Sequence, residues 1–402
     1  MNASFRAHFP ALQRQYQDKP LIYMDGPAGV QVPQQVIDAI AHYYQNSNAN
    51  THGAFLTSQE TDAVMDTARQ KMADFLGAEG PETISFGQNM TTLNFSLSRA
   101  IARGLQPGDE VLITQLDHEG NRGPWLALRE RGIVVREVAL KPEGVLDYED
   151  FASKINERTR VVAMGLASNI LGTVNDVHLI RRLSYDVGAW LLIDAVHAAP
   201  HFSLDVQAMG CDFLLCSAYK FYGPHVGILY SRPGLLDRLQ PDRLRTAYQH
   251  APYSIETGTL NHAAIAGVGA AVDFIGALGA GASQRETLVS AMQVIRQHEA
   301  ELASRLFHGL KSIPGIHIYG VSSDVPMRAP TLAIAVAQKT PQEVCEILAS
   351  QNIFAWDGHF YAIRATEVLG LLEKGGVTRL GISAYTTREE VDQVVEAFRG
   401  LV

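Results

Sequence analysis

Between residues 80 and 230 the chain alternates short, continuously apolar runs with longer segments whose apolar residues recur at helical spacing. Thr83-Ile84-Ser85-Phe86 precedes a helical stripe through Leu93, Leu97 and Ile101, and Glu110–Thr114 follows the turn Pro107-Gly108-Asp109. Further runs lie at 133–138, 160–166, Trp190–Asp194 and 212–217. Because they are apolar throughout rather than alternating, they predict strands buried on both faces, as in a mainly parallel sheet covered by helices. Ligands of such sheets bind beyond the carboxyl ends of the strands, where Ser168-Asn169, Asp194 and the segment 217–220 fall.

After about residue 260 the pattern changes. An Ala/Gly-rich passage containing Gly267, Gly269 and the glycines from 276 to 281 is expected to end in a loop. A long amphipathic helix then carries Leu288, Met292, Ile295, Leu302, Leu306 and Leu310 on one stripe. Short strands near Ile316–Tyr319, Thr331–Val336 and 378–383 alternate with helices at 341–350 and 387–399. The expected organisation is an N-terminal segment (1–20) packing with the small domain, a large domain (21–265) and a small α/β domain (266–402).

With 402 residues, the chain exceeds what one ordinary core accommodates, which agrees with two domains. A net charge of −9 without a basic run argues against a nucleic-acid partner. No uninterrupted apolar stretch of about 18 residues is present, so no membrane span is expected. The first nine residues lack the apolar core of a secretion signal. Three cysteines cannot make a disulfide framework, which points to the cytoplasm; Cys211 and Cys216 have no second pair to complete a zinc site, so no metal is expected.

The chemistry begins with Lys220, which follows the strand-like run ending at Ser217 and precedes the turn Gly223-Pro224. Asp194 ends another such run. An amine and a carboxylate at neighbouring strand ends are the two parts a pyridoxal phosphate site needs. The lysine forms the Schiff base, and the carboxylate keeps the pyridine nitrogen protonated so that the ring accepts electrons. Each residue also has a plainer reading, a solvated lysine and a helix-capping acid; their combination at one sheet edge favours the cofactor.

Other segments converge on the same edge. The stretch Gly87-Gln88-Asn89-Met90-Thr91-Thr92 joins a strand to a helix, where free backbone N–H groups suit a phosphate. Asn and Thr there also suit simple N-capping. His118, in Asp117-His118-Glu119-Gly120-Asn121, is expected over the crevice, where an imidazole can stack on a cofactor ring; a solvent-facing loop histidine is the alternative. Arg379 lies inside an apolar run and needs an anion, either a substrate carboxylate or an internal ion-pair partner.

Taken in order, Ser168-Asn169-Ile170-Leu171-Gly172-Thr173, Asp194-Ala195-Val196-His197, Asp205-Val206-Gln207-Ala208, Lys220-Phe221-Tyr222-Gly223-Pro224 and Glu256-Thr257-Gly258-Thr259-Leu260-Asn261 resemble the class V aminotransferase group of fold type I pyridoxal phosphate enzymes. The similarity is greatest to the cysteine desulfurase and selenocysteine lyase branch and runs from Tyr23-Met24-Asp25 to the last helix. It implies a mainly parallel sheet covered by helices, with a smaller α/β C-terminal domain. By the same resemblance Lys220 holds the cofactor and shuttles the substrate α-proton, Asp194 pairs with the pyridine nitrogen, and His118 stacks on the ring. His197 stands where the family usually has a glutamine near the ring hydroxyl. Asn89, Met90 (through its backbone), Ser217 and Tyr219 align with the phosphate cup, Tyr219 where many members have histidine. Thr259 aligns with the residue that reaches the neighbouring subunit's phosphate, which implies a homodimer. Asn169 would sit beside ring and substrate, and Arg379 would grip the α-carboxylate.

Two departures change the expected reaction. The desulfurases' mobile loop carries a cysteine that becomes a persulfide; here the matching stretch is Asp357-Gly358-His359-Phe360-Tyr361-Ala362, with Tyr361 at the cysteine's position. The stretch Asn50 to Gly53 replaces the usual His-Arg-Gly, leaving His52 on the substrate side in place of an arginine. The expectation is a lyase or desulfurase-like transferase acting on a small, sulfur-containing amino acid, with C–S cleavage by elimination and without an enzyme persulfide. Aminotransfer and racemisation are the alternatives within the family, and a non-catalytic pyridoxal phosphate carrier the alternative outside enzymes. A nicotinamide oxidoreductase would need a Gly-x-Gly-x-x-Gly turn after its first strand, which the sequence lacks.

Overall fold

The computed structural model describes residues 3–402. Seven strands form the central sheet: β1 (Ile84–Gly87), β2 (Glu110–Thr114), β3 (Val134–Val138), β4 (Thr159–Gly165), β5 (Trp190–Asp194), β6 (Phe213–Ser217) and β7 (Gly227–Ser231). Their order is β1-β7-β6-β5-β4-β2-β3. Parallel pairing links β3 to β2, β2 to β4, β4 to β5 and β5 to β6. β7 runs antiparallel to both β6 and β1.

The continuously apolar inner strands are buried on both faces for the predicted reason. β3, at the sheet edge and carrying Arg136 and Glu137, instead mixes buried and exposed residues, contrary to the expectation for 133–138. Successive residues of β6 enter opposite cores: Leu214 and Cys216 pack with Met72, Phe86 and Val268, whereas Phe213 and Leu215 pack with Leu97, Trp125 and Leu192. The helices include α1 (Gln34–Asn46), α2 (Leu56–Leu76), α3 (Met90–Ala102), α4 (Glu119–Leu126), α5 (His262–Gly276) and α6 (Gln284–Lys311).

The Ala/Gly-rich passage is helical as α5 through Gly276 and ends in a loop at 277–283, as expected; residue 265 lies within α5. A helix rich in small residues is apolar nearly all round and lets neighbours approach closely. A Cβ at Gly267 would come within 2.9 Å of Ile40 on α1. α6 is the long amphipathic helix expected, opened by a Ser283/Glu286 capping box. Leu288, Met292 and Ile295 pack into the core around the central sheet, and Leu302, Leu306 and Leu310 into a second core.

That second core covers an antiparallel sheet of β8 (Ile316–Tyr319), β9 (Thr331–Val336), β10 (Trp356–Gly358) and β11 (Val377–Gly381), ordered β8-β9-β11-β10. The N-terminal segment packs on α5 and on the C-terminal residues. Phe5 and Phe9 pack on Phe274, while Arg6 pairs with Glu390 at 2.8 Å. Among the described residues no helix is long and apolar enough to cross a membrane.

Candidate active site

The segments following β1, β2, β4, β5 and β6 meet beyond the carboxyl edge of the central sheet and, with β10, β11 and the loop 359–362, enclose a cavity of about 700 Å³. The chain reverses direction across the sheet here, since β2 leads outward to β3 and β4 leads back. One glycine is required by this geometry. A Cβ on Gly227, at the start of β7, would lie 2.7 Å from Met90 N, so only glycine lets β7 pass beneath the β1–α3 junction.

Lys220 and Asp194 both line the cavity and are both buried. Lys220 Nζ donates to the Pro27 carbonyl and lies 4.9 Å from the centre of the Tyr219 ring. Asp194 Oδ1 accepts the Val196 N–H at 2.9 Å. Burial pushes the Asp194 carboxyl up to about 7, with the nearby Asp117 adding to the rise. Burial and the Arg379 charge bring the Lys220 amine down to about 7. A buried carboxylate that gains from a facing cation, and a buried amine that is readily neutral, are the donor set a pyridine nitrogen and an aldehyde would meet. The residues fit pyridoxal phosphate.

His118 caps α4: its Nδ1 accepts the Gly120 N–H at 2.9 Å. That bond leaves the ring proton on Nε2, and burial, reinforced by Lys220 and Arg379, holds the imidazole neutral, with its pKa down to about 4. At the start of α3, the Met90 N–H donates to Ser217 Oγ at 3.2 Å. Asn89 is the N-cap, its Oδ1 accepting from Thr92 N at 2.9 Å. The capping alternative therefore holds for its side-chain oxygen, and what this turn can offer a phosphate is its backbone N–H groups and the neighbouring hydroxyls. Tyr219 stacks flat on His225, rings 4.7 Å apart and 8° from parallel. His197 lines the cavity, but its Nε2 is 3.0 Å from Thr331 Oγ1.

Arg379 is buried, and its Nη1 donates to the Asn169 carbonyl at 3.1 Å. Its guanidinium lies 3.9 Å from the centre of the Phe360 ring. Burial lowers its pKa to about 9, and Asp25 opposes that shift. Asn169 Nδ2 in turn donates to the Phe360 carbonyl at 2.9 Å, and Glu119 N to the Tyr361 carbonyl at 2.7 Å. The loop is thus tied to the segments after β2 and β4. Tyr361 stands 5.4 Å from the His118 ring.

Two expected residues are not brought to this cavity by their own chain. His52 faces Asp62, 3.3 Å from Nδ1 to Oδ1, and Tyr248, because the turn before α2 ties both backbone and ring to Asp62. Thr259 lines a separate cleft with Gln88 and His225, on the other side of the β1–α3 junction. Three residues escaped the sequence reading. Asp117 accepts from Thr114 N and Gly165 N, joining β2 to β4, and burial raises it to about 6. Its position after a strand, like that of Asp194, was the available signal. Asp25, also raised to about 6 by burial, opposes the Arg379 charge, and its Oδ1 has no partner among the described residues. Phe360 had no signal in sequence.

Residues 22–394 match the family described as Aminotransferase class-V. The chain is 32% identical to a cysteine desulfurase of Serratia proteamaculans, covering 97% of this chain and 95% of that one. It is 31% identical to a probable cysteine desulfurase of Synechocystis, over 100% of this chain and 95% of that one. Among solved structures it is similar to the apo cysteine desulfurase of Thermococcus onnurineus, with TM-score 0.88, 26% identity and 99% and 97% coverage of the two chains. A cysteine desulfurase of Escherichia coli gives TM-score 0.87 at 27% identity with the same coverage.

Proposed function

The chain belongs to the class V aminotransferase family of pyridoxal phosphate enzymes, and from that premise we propose that it is a cysteine desulfurase-like lyase that breaks a C–S bond by elimination, with no enzyme persulfide. The observation that carries this reading is the loop 357–362, which turns Tyr361 rather than a thiol toward the cavity. Cys211, Cys216 and Cys345 are buried away from it. Burial raises all three thiols, Cys345 to about 12 and the other two further, which removes the thiolate a persulfide relay needs.

When bound, pyridoxal phosphate supplies an aldehyde for the substrate amine and a ring that accepts the electron pair of a broken bond at the α-carbon. The protein's part is binding, orientation and proton movement. Arg379 holds the substrate carboxylate in a charge-assisted pair, its plane set by Phe360 and Asn169. Lys220 Nζ, held near neutrality by burial, takes the α-proton and returns it. Asp194 would face the pyridine nitrogen with its carboxyl group, and His118 would offer a neutral ring to the cofactor. Backbone N–H groups at the start of α3, with Ser217 and Tyr219, would hold the phosphate. His197, Asn89 and Asn169 complete the wall. The position of Thr259 outside its own chain's cavity supports a homodimer in which it serves the neighbouring site, and the free, buried cysteines support a cytoplasmic protein.

Incubation of the loaded protein with cysteine tests the reading. Sulfide, pyruvate and ammonia should form while intact-mass spectrometry shows no persulfide on the protein. A persulfide on Cys345, or alanine as the carbon product, would refute elimination. Keto acid without ammonia would mean aminotransfer instead.

A further inference from the structure

The mouth of the cavity is aromatic. Trp356, Phe360 and Tyr361 line it within six positions of each other, with Phe95 and Leu116 on the facing segments. Trp356 and Tyr361 are 52% and 68% exposed, and unlike the other exposed rings of the molecule they stand together on the lining of this cavity. The backbone is strained to present them. Phe360 and Tyr361 have φ of 51° and 56°, two successive non-glycine residues in the left-handed region. The bonds from Asn169 Nδ2 and Glu119 N to their carbonyls hold that conformation. Arg379 is a buried cation at the base of this wall, already stacked on Phe360. Beside the polar groups around Lys220, Asp194 and His118, the lining therefore adds a cluster of aromatic faces and no thiol.

Resting on the elimination reading above, we propose that the substrates are S-substituted cysteines whose sulfur bears an apolar, preferably aromatic, group, and that Trp356 and Tyr361 determine this specificity. A protein without a cavity thiol does not relay sulfur, so sulfur leaves directly as sulfide or, where it carries a substituent, as the thiol, and the aromatic lining favours the substituted case. The α-proton moves to Lys220 Nζ, and the Cβ–S bond breaks with its electron pair going to sulfur. The thiolate takes up a proton and departs as the thiol. The remaining enamine of the amino acid is hydrolysed by water to pyruvate and ammonium. The sum is one S-substituted cysteine and one water giving one thiol, one pyruvate and one ammonium, with no oxidant or reductant required. The rings take the departing substituent out of water, and each buried aromatic group favours the larger substrate over cysteine.

Two measurements on the loaded protein test this. The first is thiol release from S-benzylcysteine compared with sulfide release from cysteine. The second is calorimetric binding of 2-amino-5-phenylpentanoate, the carbon isostere that cannot eliminate, compared with alanine. S-benzylcysteine should have a kcat/KM roughly tenfold or more above cysteine, and the isostere should bind roughly tenfold or more tighter than alanine. In Trp356→Ala/Tyr361→Ala both ratios should fall toward one. An isostere that binds no better than alanine, or equally well to the double variant, overturns the aromatic wall. Tight isostere binding without thiol release from any substrate overturns the elimination reading and leaves the wall standing. Should the double variant instead change the sedimentation coefficient, the rings serve a subunit contact, and the specificity proposal falls.

Discussion

His118 Nδ1 accepts the Gly120 N–H at 2.9 Å, so a single ring nitrogen caps α4 and assigns the imidazole proton to Nε2. The two duties separate by substitution. His118→Asn keeps a cap acceptor without the ring, and His118→Phe keeps a ring without the acceptor. The Phe variant should lose about 1 kcal/mol of stability, the usual worth of a cap, and retain most cofactor affinity. The Asn variant should melt close to the wild type and bind the cofactor weakly. Thermal denaturation of the cofactor-free protein and cofactor titration check the pair; equal behaviour of the two variants would refute the assignment.

Asp194 and Lys220 make the stability of the cofactor-free protein pH-sensitive in opposite senses. Asp194 titrates near 7 in the fold against 3.8 unfolded, so between those values the native state holds a proton that the unfolded chain has lost. Stability from this group falls as pH rises from about 4 to about 7. Lys220 titrates near 7 against 10.5, so its penalty is full below about 7 and disappears as pH approaches 10.5. In cofactor-free protein, the stability gained by Asp194→Asn should therefore grow with pH up to about 7. The gain from Lys220→Met should be largest below about 7 and vanish toward 10.5. Urea midpoints across this range check both; pH-independent differences would contradict them.

Arg379→Ala removes a charge-assisted pair worth roughly 1.5–3 kcal/mol, so the KM for amino acids should rise about 10- to 150-fold. Arg379→Lys keeps the charge but loses the flat stack on Phe360, and should fall between. Steady-state kinetics decide; an unchanged KM in the Ala variant rules out carboxylate binding.

Arg69 and Glu256 form a buried two-point ion pair, with contacts of 2.7 and 2.8 Å. Glu256 Oε1 also accepts the Phe86 N–H at 2.7 Å, and Arg69 Nη1 donates to the Ile84 carbonyl. The pair joins α2, β1 and the segment that leads to Thr259. Arg69→Ala leaves a buried carboxylate unpaired and should cost about 3–5 kcal/mol, while Arg69→Met/Glu256→Met should cost clearly less. Chemical denaturation provides the comparison. A double variant as unstable as the single one would contradict it.

The amino-acid order alone determined the strands and their depth. Glu110–Thr114, Trp190–Asp194 and Thr331–Val336 have the bounds their apolar runs predict, because burial on both faces is written into a few consecutive residues; Ile316–Tyr319 has the predicted bounds too, as a half-exposed edge strand. It also placed Lys220, Asp194 and His118 at one edge, since strand ends in a parallel sheet converge; Arg379 reaches them from within the antiparallel second sheet, which that pattern does not dictate. Tertiary packing decided how each polar atom is used. Asn89 Oδ1 is spent on Thr92, and His197 Nε2 meets Thr331, 134 positions away. Phe360 reaches Arg379 only through the folded second sheet and its loop, and His52 and Thr259 lie off their own chain's cavity. A pattern of apolar residues reports which side of a strand or helix is dry. Which donor meets which acceptor depends on groups distant in sequence that only packing brings within hydrogen-bond reach.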